Sequence, residues 1–125
     1  LSAAGVDLQA TIDVPVLPAE HEAALALALR EAVTNVLRHA DAHHATIRAD
    51  ATADEVTLEV GDDGRGSREP DGSGLAGMRE RATALGGHVS RHTGTFGGER
   101  PGTTVRVTLP LTPAAAVATS QVVQP

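Results

Sequence analysis

Residues 30–40 read Arg-Glu-Ala-Val-Thr-Asn-Val-Leu-Arg-His-Ala, and this stretch constrains both the fold and the chemistry of the chain. Its apolar residues recur at helical spacing, and its distinctive polar residues share a face about 100° wide. The polar residues are Glu31, Asn35, Arg38 and His39, and the apolar ones are Leu29, Val33, Val36 and Leu37. Carboxylate and amide oxygens are ligands that Mg²⁺ prefers, and they can also orient a water molecule. The stretch predicts an amphipathic helix whose polar face is either a binding surface or an ordinary solvated surface.

The composition indicates one globular domain with an aliphatic core. The chain has 125 residues, of which 41% are hydrophobic, with one Phe and no Trp, Tyr or Cys. The absence of cysteine excludes disulfides and thiolate metal sites, and no apolar run approaches the roughly 18 residues of a membrane span. Because the sequence begins at Leu1 rather than Met, we expect it to be part of a longer protein.

The charged residues exclude two common classes of binding protein. The formal net charge is −6, and all ten cationic residues are Arg. A P-loop requires a Lys, so that phosphate-binding motif is excluded. An acidic chain without a basic cluster or stacking aromatic residues is also not expected to bind nucleic acid directly.

The hydrophobic pattern predicts a two-layer α/β sandwich. Alternation with a period of two predicts strands over residues 6–14, 45–51, 56–60, 89–93 and 103–111. Residues 18–40 and 75–85 are predicted helices; Pro18 and two early glutamates favour the start of the first, and Gly86-Gly87 ends the second. The link 52–54 predicts a hairpin. Every strand has one apolar and one polar face, so helices should cover one side of the sheet only. The predicted domain is residues 1–111, followed by a flexible tail over residues 112–125.

A loop with two adjacent carboxylates follows the third predicted strand, as Asp62-Asp63-Gly64-Arg65-Gly66. A carboxylate at the end of a strand can accept a hydrogen bond from an exocyclic amine, and glycines allow a flat ring to approach the backbone. Asp-Gly is also common in surface turns, so the loop alone leaves both interpretations open.

A second glycine-rich segment, Gly72-Ser73-Gly74-Leu75-Ala76-Gly77, lies at the predicted start of the second helix. Free N–H groups at a helix start bind anions, and glycines permit contact with phosphate oxygens. The spacing is not the dinucleotide pattern and no parallel βαβ unit precedes it, so a Rossmann site is disfavoured.

In this order the three motifs resemble the ATP-binding domain shared by histidine kinases, Hsp90-type chaperones, type II topoisomerases and MutL-type repair proteins. The similarity is greatest to sensor histidine kinases that partner NarL-type response regulators, in which REAxTNVxxHA, DDGRG, GxGLxGMRERxxxLGG and GTTVxVxLP are expected. The matching segments are 30–40, 62–66, 72–87 and 102–110, and the resemblance covers about residues 5–111. It implies the α+β Bergerat fold, a mixed sheet of about five strands with about three helices on one face.

The resemblance also implies roles for individual residues. Glu31 would be the catalytic base or polarising carboxylate near the γ-phosphate, and Asn35 would ligate the Mg²⁺ that bridges the phosphates. Asp62 would accept the adenine amino group, assisted by Thr103 through a water. The other implied nucleotide-binding residues are Arg38 and His39 beside the phosphates, Gly64 and Gly66 around the adenine, and Gly72, Gly74, Leu75 and Gly77 at the lid and phosphates. Phosphoryl transfer depends on such positioning and charge neutralisation.

Two segments depart from the family pattern. The lid over residues 67–73 is short, and its Ser67 stands where the family usually has Phe, so we expect a mobile or poorly closed lid. The segment 94–102, which contains Phe96, Glu99 and Arg100, is longer and more charged than a family turn and has no implied role.

Several histidines suggest other sites. Glu20-His21-Glu22 resembles a phosphoacceptor motif, but in the family that residue lies on a separate helical hairpin, so His21 is predicted to be a surface residue. The spacing of His39, His43 and His44 suggests zinc, yet no further ligand set is evident. We therefore expect no metal other than Mg²⁺ bound with the nucleotide.

The sequence thus predicts the ATP- and Mg²⁺-binding catalytic domain of a sensor histidine kinase, with this domain on the cytoplasmic side whether or not the parent is anchored in a membrane. It would transfer the γ-phosphate to a histidine on a dimerisation domain outside this chain, and its downstream partner would be a NarL-type response regulator. The isolated domain is expected to be a monomer and the parent a homodimer. An anti-sigma-factor serine kinase on the same fold is one alternative, which Met78-Arg79-Glu80-Arg81 disfavours. A degenerate nucleotide-binding module is the other, which intact Glu31, Asn35 and Asp62 disfavour.

Overall fold

The computed structural model describes residues 2–3, 5–39, 42–64, 73–93 and 102–111. Its elements in chain order are β1 (Ser2–Ala3), β2 (Val6–Asp13), α1 (Ala19–His39), β3 (His44–Ala51), β4 (Glu55–Asp62), α2 (Ser73–Ala84), β5 (His88–Thr93) and β6 (Thr103–Pro110). The five long strands and both helices occur where the sequence predicts them. The short strand β1 was not predicted, and two helices rather than about three occur in the described ranges. Residues 67–72 of the predicted lid, residues 94–101 of the charged segment and the predicted tail lie outside them.

The strands form one mixed sheet in the order β1-β2-β3-β4-β6-β5. Strands β2 and β3 are parallel, because α1 lies between them in the chain and returns it to the same end of the sheet. The expectation that no parallel βαβ unit precedes the second glycine-rich segment was therefore wrong. The other pairs are antiparallel. The predicted hairpin joins β3 to β4, and Thr52 closes it by donating its N–H to Glu55 O over 2.8 Å. The predicted fold class is confirmed.

The core lies between the sheet and the two helices and is built from small aliphatic residues. Helix α1 packs on β4, β6 and α2, and α2 packs on β5 and β6. The buried stripe of α1 consists of Ala24, Ala28, Ala32 and Val36. Small side chains let the helix approach the sheet closely, so the stripe is centred on alanines rather than on the larger residues that the sequence suggested. Leu29 and Val33 are only partly buried, and Leu37 is 38% exposed.

Strand β2 is covered along only half of its length. Val6 and Leu8 are buried as the alternation predicts, but Ala10 and Ile12 are exposed, Ile12 to 58%. The helices pack mainly on β4, β5 and β6, towards the opposite edge of the sheet from β2. The second half of β2 therefore extends beyond the area that they cover. The prediction that the apolar face of this strand is buried throughout was therefore wrong.

The prediction that His21 lies on the surface was also wrong. The residue is only 5% exposed, because it lies one turn before Ala24 and two turns before Ala28 on the buried side of α1. Its Nε2 is 2.9 Å from the carbonyl oxygen of Pro110, which can only accept, so Nε2 carries the proton. The other ring nitrogen, Nδ1, is buried without a hydrogen-bond partner within the described ranges. His21 thus ties the first turn of α1 to the end of β6.

The end of α2 is fixed by two glycines, as predicted. Gly86 has φ +83°, a conformation that strains residues with a side chain. Its N–H donates to Thr83 O over 2.9 Å, while Gly87 N–H donates to Ala82 O over 2.7 Å. This is a Schellman cap, which satisfies two terminal carbonyl groups of the helix and turns the chain into β5.

We expect Gly87→Ala to destabilise the domain by roughly 2 kcal/mol, because the added Cβ would lie 2.1 Å from Thr108 O and the backbone must shift. Urea unfolding measures this change. Gly77→Ala is the matched control: a Cβ there meets no atom within 4 Å, and replacing a helical glycine stabilises by about 0.5–1 kcal/mol. Equal stability of the two variants would contradict the described approach of Gly87 to β6.

Candidate functional site

Asp62 is a buried carboxylate at the end of a central strand. Side chains alternate along β4, so Asp62 lies on the same face as the core residues Val56, Leu58 and Val60 rather than on the open face. It is only 3% exposed. Its Oδ1 accepts the backbone N–H of Gly64 over 2.7 Å, which folds the following loop back over the strand end. A buried carboxylate of this kind can bind a ligand that brings its own N–H donor.

Thr103 lies directly beside Asp62 in the sheet. The two residues are register partners between β4 and β6, and directly opposed residues of an antiparallel pair project from the same face. Gly102, with φ +68°, donates its N–H to Gly64 O over 2.8 Å and joins the two strand ends. The sequence-predicted residues Asp62, Gly64 and Thr103 are therefore close together, although far apart in the sequence.

The polar residues of α1 lie along the edge of its buried stripe. Glu31 and Asn35 are half-buried and one helical turn apart, on the same side of the buried stripe that contains Ala32. Arg38 is exposed, and His39 is the last residue of the helix. Because α1 packs on β4, this polar edge and Asp62 belong to the same helix-covered side of the sheet. An amide and a carboxylate oxygen suit a Mg²⁺ ion that keeps most of its ligands from phosphates and water.

The glycine-rich segment forms the start of α2, as predicted. The helix begins at Ser73 and so includes Gly74, Leu75 and Gly77, whereas Gly66 and Gly72 lie outside the described residues. The Leu75 side chain is 3% exposed and belongs to the core, so only its backbone is suited to contact a ligand. Backbone N–H groups at a helix start favour an anion.

A second carboxylate, Asp63, has a structural role that the sequence analysis did not assign. Its Oδ1 accepts the backbone N–H groups of His43 and His44 over 2.8 and 2.9 Å. Its Oδ2 accepts a hydrogen bond from His44 Nδ1 over 2.8 Å. Burial, which raises the pKa of Asp63, is outweighed by these hydrogen bonds from His44 and His43, so the pKa falls from 3.8 to about 2. The signal that could have revealed this contact is the predicted β3–β4 hairpin, whose register sets His44 opposite Asp63.

Acid should weaken the domain partly through Asp63. A carboxyl group whose pKa is lower in the folded than in the unfolded state stabilises the fold above the unfolded value, and loses that contribution as the pH falls towards 2. We therefore expect Asp63→Asn to reduce the loss of unfolding free energy between pH 5 and pH 2. Urea titrations of both proteins across this range measure the difference, and an unchanged pH dependence would contradict the ionised contact.

The histidines do not assemble a metal site in the described ranges. No group of three or more His, Cys, Asp or Glu side chains there could hold a metal ion. His44 instead pairs with Asp63. The zinc interpretation of the histidine spacing therefore gains no support.

A shallow cavity lies on the opposite side of the sheet and is separate from Asp62. It has a volume of about 440 Å³ and is lined by Thr46, Glu59, Gly61, Ser90, His92, Thr104 and Arg106. These residues alternate with the core residues, so they belong to the face opposite α1 and α2. Glu59 is held there by Arg106, whose Nη2 lies 2.8 Å from Glu59 Oε2. None of its described lining residues is among those to which the sequence analysis gave a role in nucleotide binding.

Comparison with known proteins identifies the family. The family described as "Histidine kinase-, DNA gyrase B-, and HSP90-like ATPase" matches residues 20–113. The chain belongs to this family. The match includes α1 with its polar edge, Asp62 and Thr103 and the start of α2, and the predicted resemblance is confirmed.

Curated relatives of this histidine kinase-like ATPase domain are sensor histidine kinases. YvfT of Bacillus subtilis is 36% identical over 91 residues, which are 70% of this chain and 22% of the relative. YxjM of the same organism is 40% identical over 86 residues, 66% of this chain and 20% of the relative. The chain thus spans about one fifth of the length of these relatives.

Solved structures share the fold of this ATPase domain. The histidine kinase domain of the blue-light activated histidine kinase of Erythrobacter litoralis EL346 superposes with a TM-score of 0.72 at 22% identity, over 90% of this chain and 55% of that one. The ATP-binding domain of PrrB from Mycobacterium tuberculosis gives a TM-score of 0.59 at 23% identity, over 85% and 80% of the two chains.

Neither helix of the described ranges is long and apolar enough to cross a membrane.

Proposed function

We propose that this chain is the catalytic domain of a sensor histidine kinase, which binds ATP with Mg²⁺ and donates the γ-phosphate to a histidine on a separate domain. The observation that carries the proposal is buried Asp62, paired with Thr103 at a strand end, on the side of the sheet that α1 covers. Family membership and sensor-kinase relatives support the same function.

Asp62 would select adenine. An ionised carboxylate only accepts hydrogen bonds, so it matches the exocyclic amine of adenine. Guanine carries a carbonyl oxygen at the equivalent position, and that acceptor would face the carboxylate without a proton between them. A buried polar group left unpaired in this way discriminates strongly between ligands. Thr103 would assist through a water, and Gly64 and Gly66 would shape the space around the ring.

The polar edge of α1 and the start of α2 would hold the phosphates. Asn35 would provide an oxygen ligand to Mg²⁺, which neutralises phosphate charge when bound. Arg38, His39 and the N–H groups around Gly72, Gly74, Leu75 and Gly77 would contact the phosphate oxygens. Glu31 would accept a proton from the attacking imidazole, or polarise it, while the γ-phosphoryl group passes to the imidazole nitrogen and ADP leaves.

The remaining components would belong to the parent protein. The acceptor histidine would lie on a dimerisation domain of a homodimeric parent, and a NarL-type response regulator would receive the phosphoryl group next. His21 is unsuited to be the phosphoacceptor, because its ring is buried and donates a hydrogen bond to the carbonyl oxygen of Pro110. The domain would act in the cytoplasm as a monomeric unit attached to the parent dimer.

Labelling with [γ-³²P]ATP tests this assignment. The chain alone should acquire no label, whereas adding the dimerisation domain of the parent kinase should give acid-labile, base-stable phosphate on that domain. Stable acid-labile label on the chain itself would contradict a separate acceptor. Acid-stable label on a serine of a partner would instead indicate the serine kinase alternative.

A further inference from the structure

We propose that Asp63 is a positioning residue. It fixes the position of Asp62, the proposed nucleotide-binding carboxylate, relative to the turn at the end of helix α1. The inference rests on the proposed function for its effect on ATP, but its structural part can be tested without nucleotide. The segment involved is the turn that leads from α1 into β3, here called the α1 exit and defined as residues 42–44.

The α1 exit is hydrogen-bonded to residues on two sides. On one side the Asp7 N–H of β2 donates to His43 O over 2.9 Å. On the other side Asp63 accepts the backbone N–H groups of His43 and His44, and its own N–H donates to His44 O over 3.1 Å. The ring of His44 adds a further hydrogen bond to the same carboxylate. Asp63 therefore makes more hydrogen bonds to this turn than Asp7 does.

The charge of Asp63 strengthens the hydrogen bonds that its carboxylate accepts from His43 and His44. A pKa of about 2 keeps the carboxylate ionised at neutral pH, so its oxygens only accept hydrogen bonds. The Nδ1 of His44 must then carry its proton. Hydrogen bonds to an ionised acceptor are roughly twice as strong as neutral ones, and the Asp63 side chain is only 25% exposed.

The position of Asp63 in the chain gives the contact its functional meaning. Asp63 directly follows Asp62, whose Oδ1 holds the Gly64 N–H. The α1 exit follows the helical turn that carries Arg38 and His39, with residues 40–41 between them. The carboxylate of Asp63 therefore adds a second link, next to the direct pairing of Asp62 with Ala45, between the proposed adenine end of the site and the turn that follows the proposed phosphate end. Without it, the position of Asp62 relative to the α1 exit would depend on the remaining backbone pairing of β3 with β4.

The structural arm of the test measures amide hydrogen exchange in the absence of nucleotide. Asp63→Ala should raise the exchange rates of the His43 and His44 amides at least about tenfold, and that of the Gly64 amide as well, because its turn loses support. Glu59→Gln is the matched control, since it removes a carboxylate from a hydrogen-bonded pair on the open face. Unchanged exchange at all three amides in Asp63→Ala would overturn the proposal.

The nucleotide arm measures the affinity for Mg²⁺-ATP by calorimetry with the same proteins. Asp63→Ala should bind about tenfold more weakly, although Asp63 itself is not assigned any contact with ATP. Asp63→Asn should recover most of the affinity, because an amide oxygen can still accept the two backbone N–H groups. His44→Ala, which removes only the ring contact, should weaken binding about two- to threefold. Wild-type affinity in Asp63→Ala would overturn the positioning role.

These outcomes separate this proposal from the proposed function. If the wild-type chain does not bind ATP, the proposed function fails and the exchange rates alone decide whether Asp63 supports the turn. If ATP binds but Asp63→Ala and Glu59→Gln weaken it equally, the specific role of Asp63 is contradicted while the function stands. If Asp63→Ala does not fold, His44→Ala provides the comparison, and wild-type exchange of the His43 and His44 amides together with wild-type affinity in that variant would overturn the proposal.

Discussion

Replacing Asp62 with Asn should weaken ATP binding by roughly 100-fold, which corresponds to about 3 kcal/mol. The amide has one acceptor oxygen where the carboxylate has two, and in this structure one carboxylate oxygen already accepts the Gly64 N–H. The NH₂ group of Asn would then face the adenine amino group, and two donors would oppose each other in a buried site. Isothermal titration calorimetry of both proteins with Mg²⁺-ATP measures the change.

The Asp62→Asn result is interpretable only if the fold survives. The Asn side chain can keep the hydrogen bond to Gly64, so circular dichroism and urea unfolding should show a folded protein. Glu59→Gln provides the control on nucleotide affinity, because Glu59 lies on the opposite face of the sheet and pairs with Arg106. Wild-type affinity in folded Asp62→Asn would refute the adenine role of Asp62.

Asn35→Ala should remove most of the Mg²⁺ dependence of ATP binding. Asn35 is half-buried one turn after Glu31, and in the proposed site its amide oxygen ligates the ion. We expect the affinity in Mg²⁺ to fall by about 10- to 100-fold, a loss of the size seen when residues that support a metal site are removed. Affinity in the presence of EDTA should change little. Calorimetry of each protein in Mg²⁺ and in EDTA gives the two values.

Thr34→Ala is the control for this measurement. Thr34 is also half-buried, but it lies about 100° away around the helix. Its variant should keep the wild-type ratio of affinities with and without Mg²⁺. The same ratio in Asn35→Ala would count against Asn35 as the metal ligand.

The elements of the fold could be predicted because each follows a local pattern. Alternation along β3, β4 and β6 gave the correct buried face, and Gly86-Gly87 marked the end of α2. The errors concern where elements dock. His21 and Ile12 have side chains typical of surface and core respectively, yet packing buries the histidine and leaves the isoleucine exposed. Periodicity gives the faces of an element but not how far its neighbours extend over it.

The sequence nominated the residues of the candidate site but not the contacts that connect them. Motif spacing selected Asp62, Glu31 and Asn35, and the sheet register then placed Asp62 beside Thr103. That register depends on the order in which distant strands pair, which the sequence did not reveal. The contact between Asp63 and His44 has a different origin, because it follows from the predicted hairpin: pairing Ala51 with Val56 sets His44 opposite Asp63, and the sequence analysis did not extend the register that far.

The most direct test of the central claim is calorimetric titration of the wild-type chain with ATP and with GTP, each in Mg²⁺ and in EDTA. We predict one site per chain that binds ATP, binds it more tightly in Mg²⁺, and binds GTP at least about 100-fold more weakly, because only adenine presents a donor to Asp62. Absence of ATP binding, or equal affinity for ATP and GTP, would contradict the assignment of this chain as an ATP-binding kinase domain.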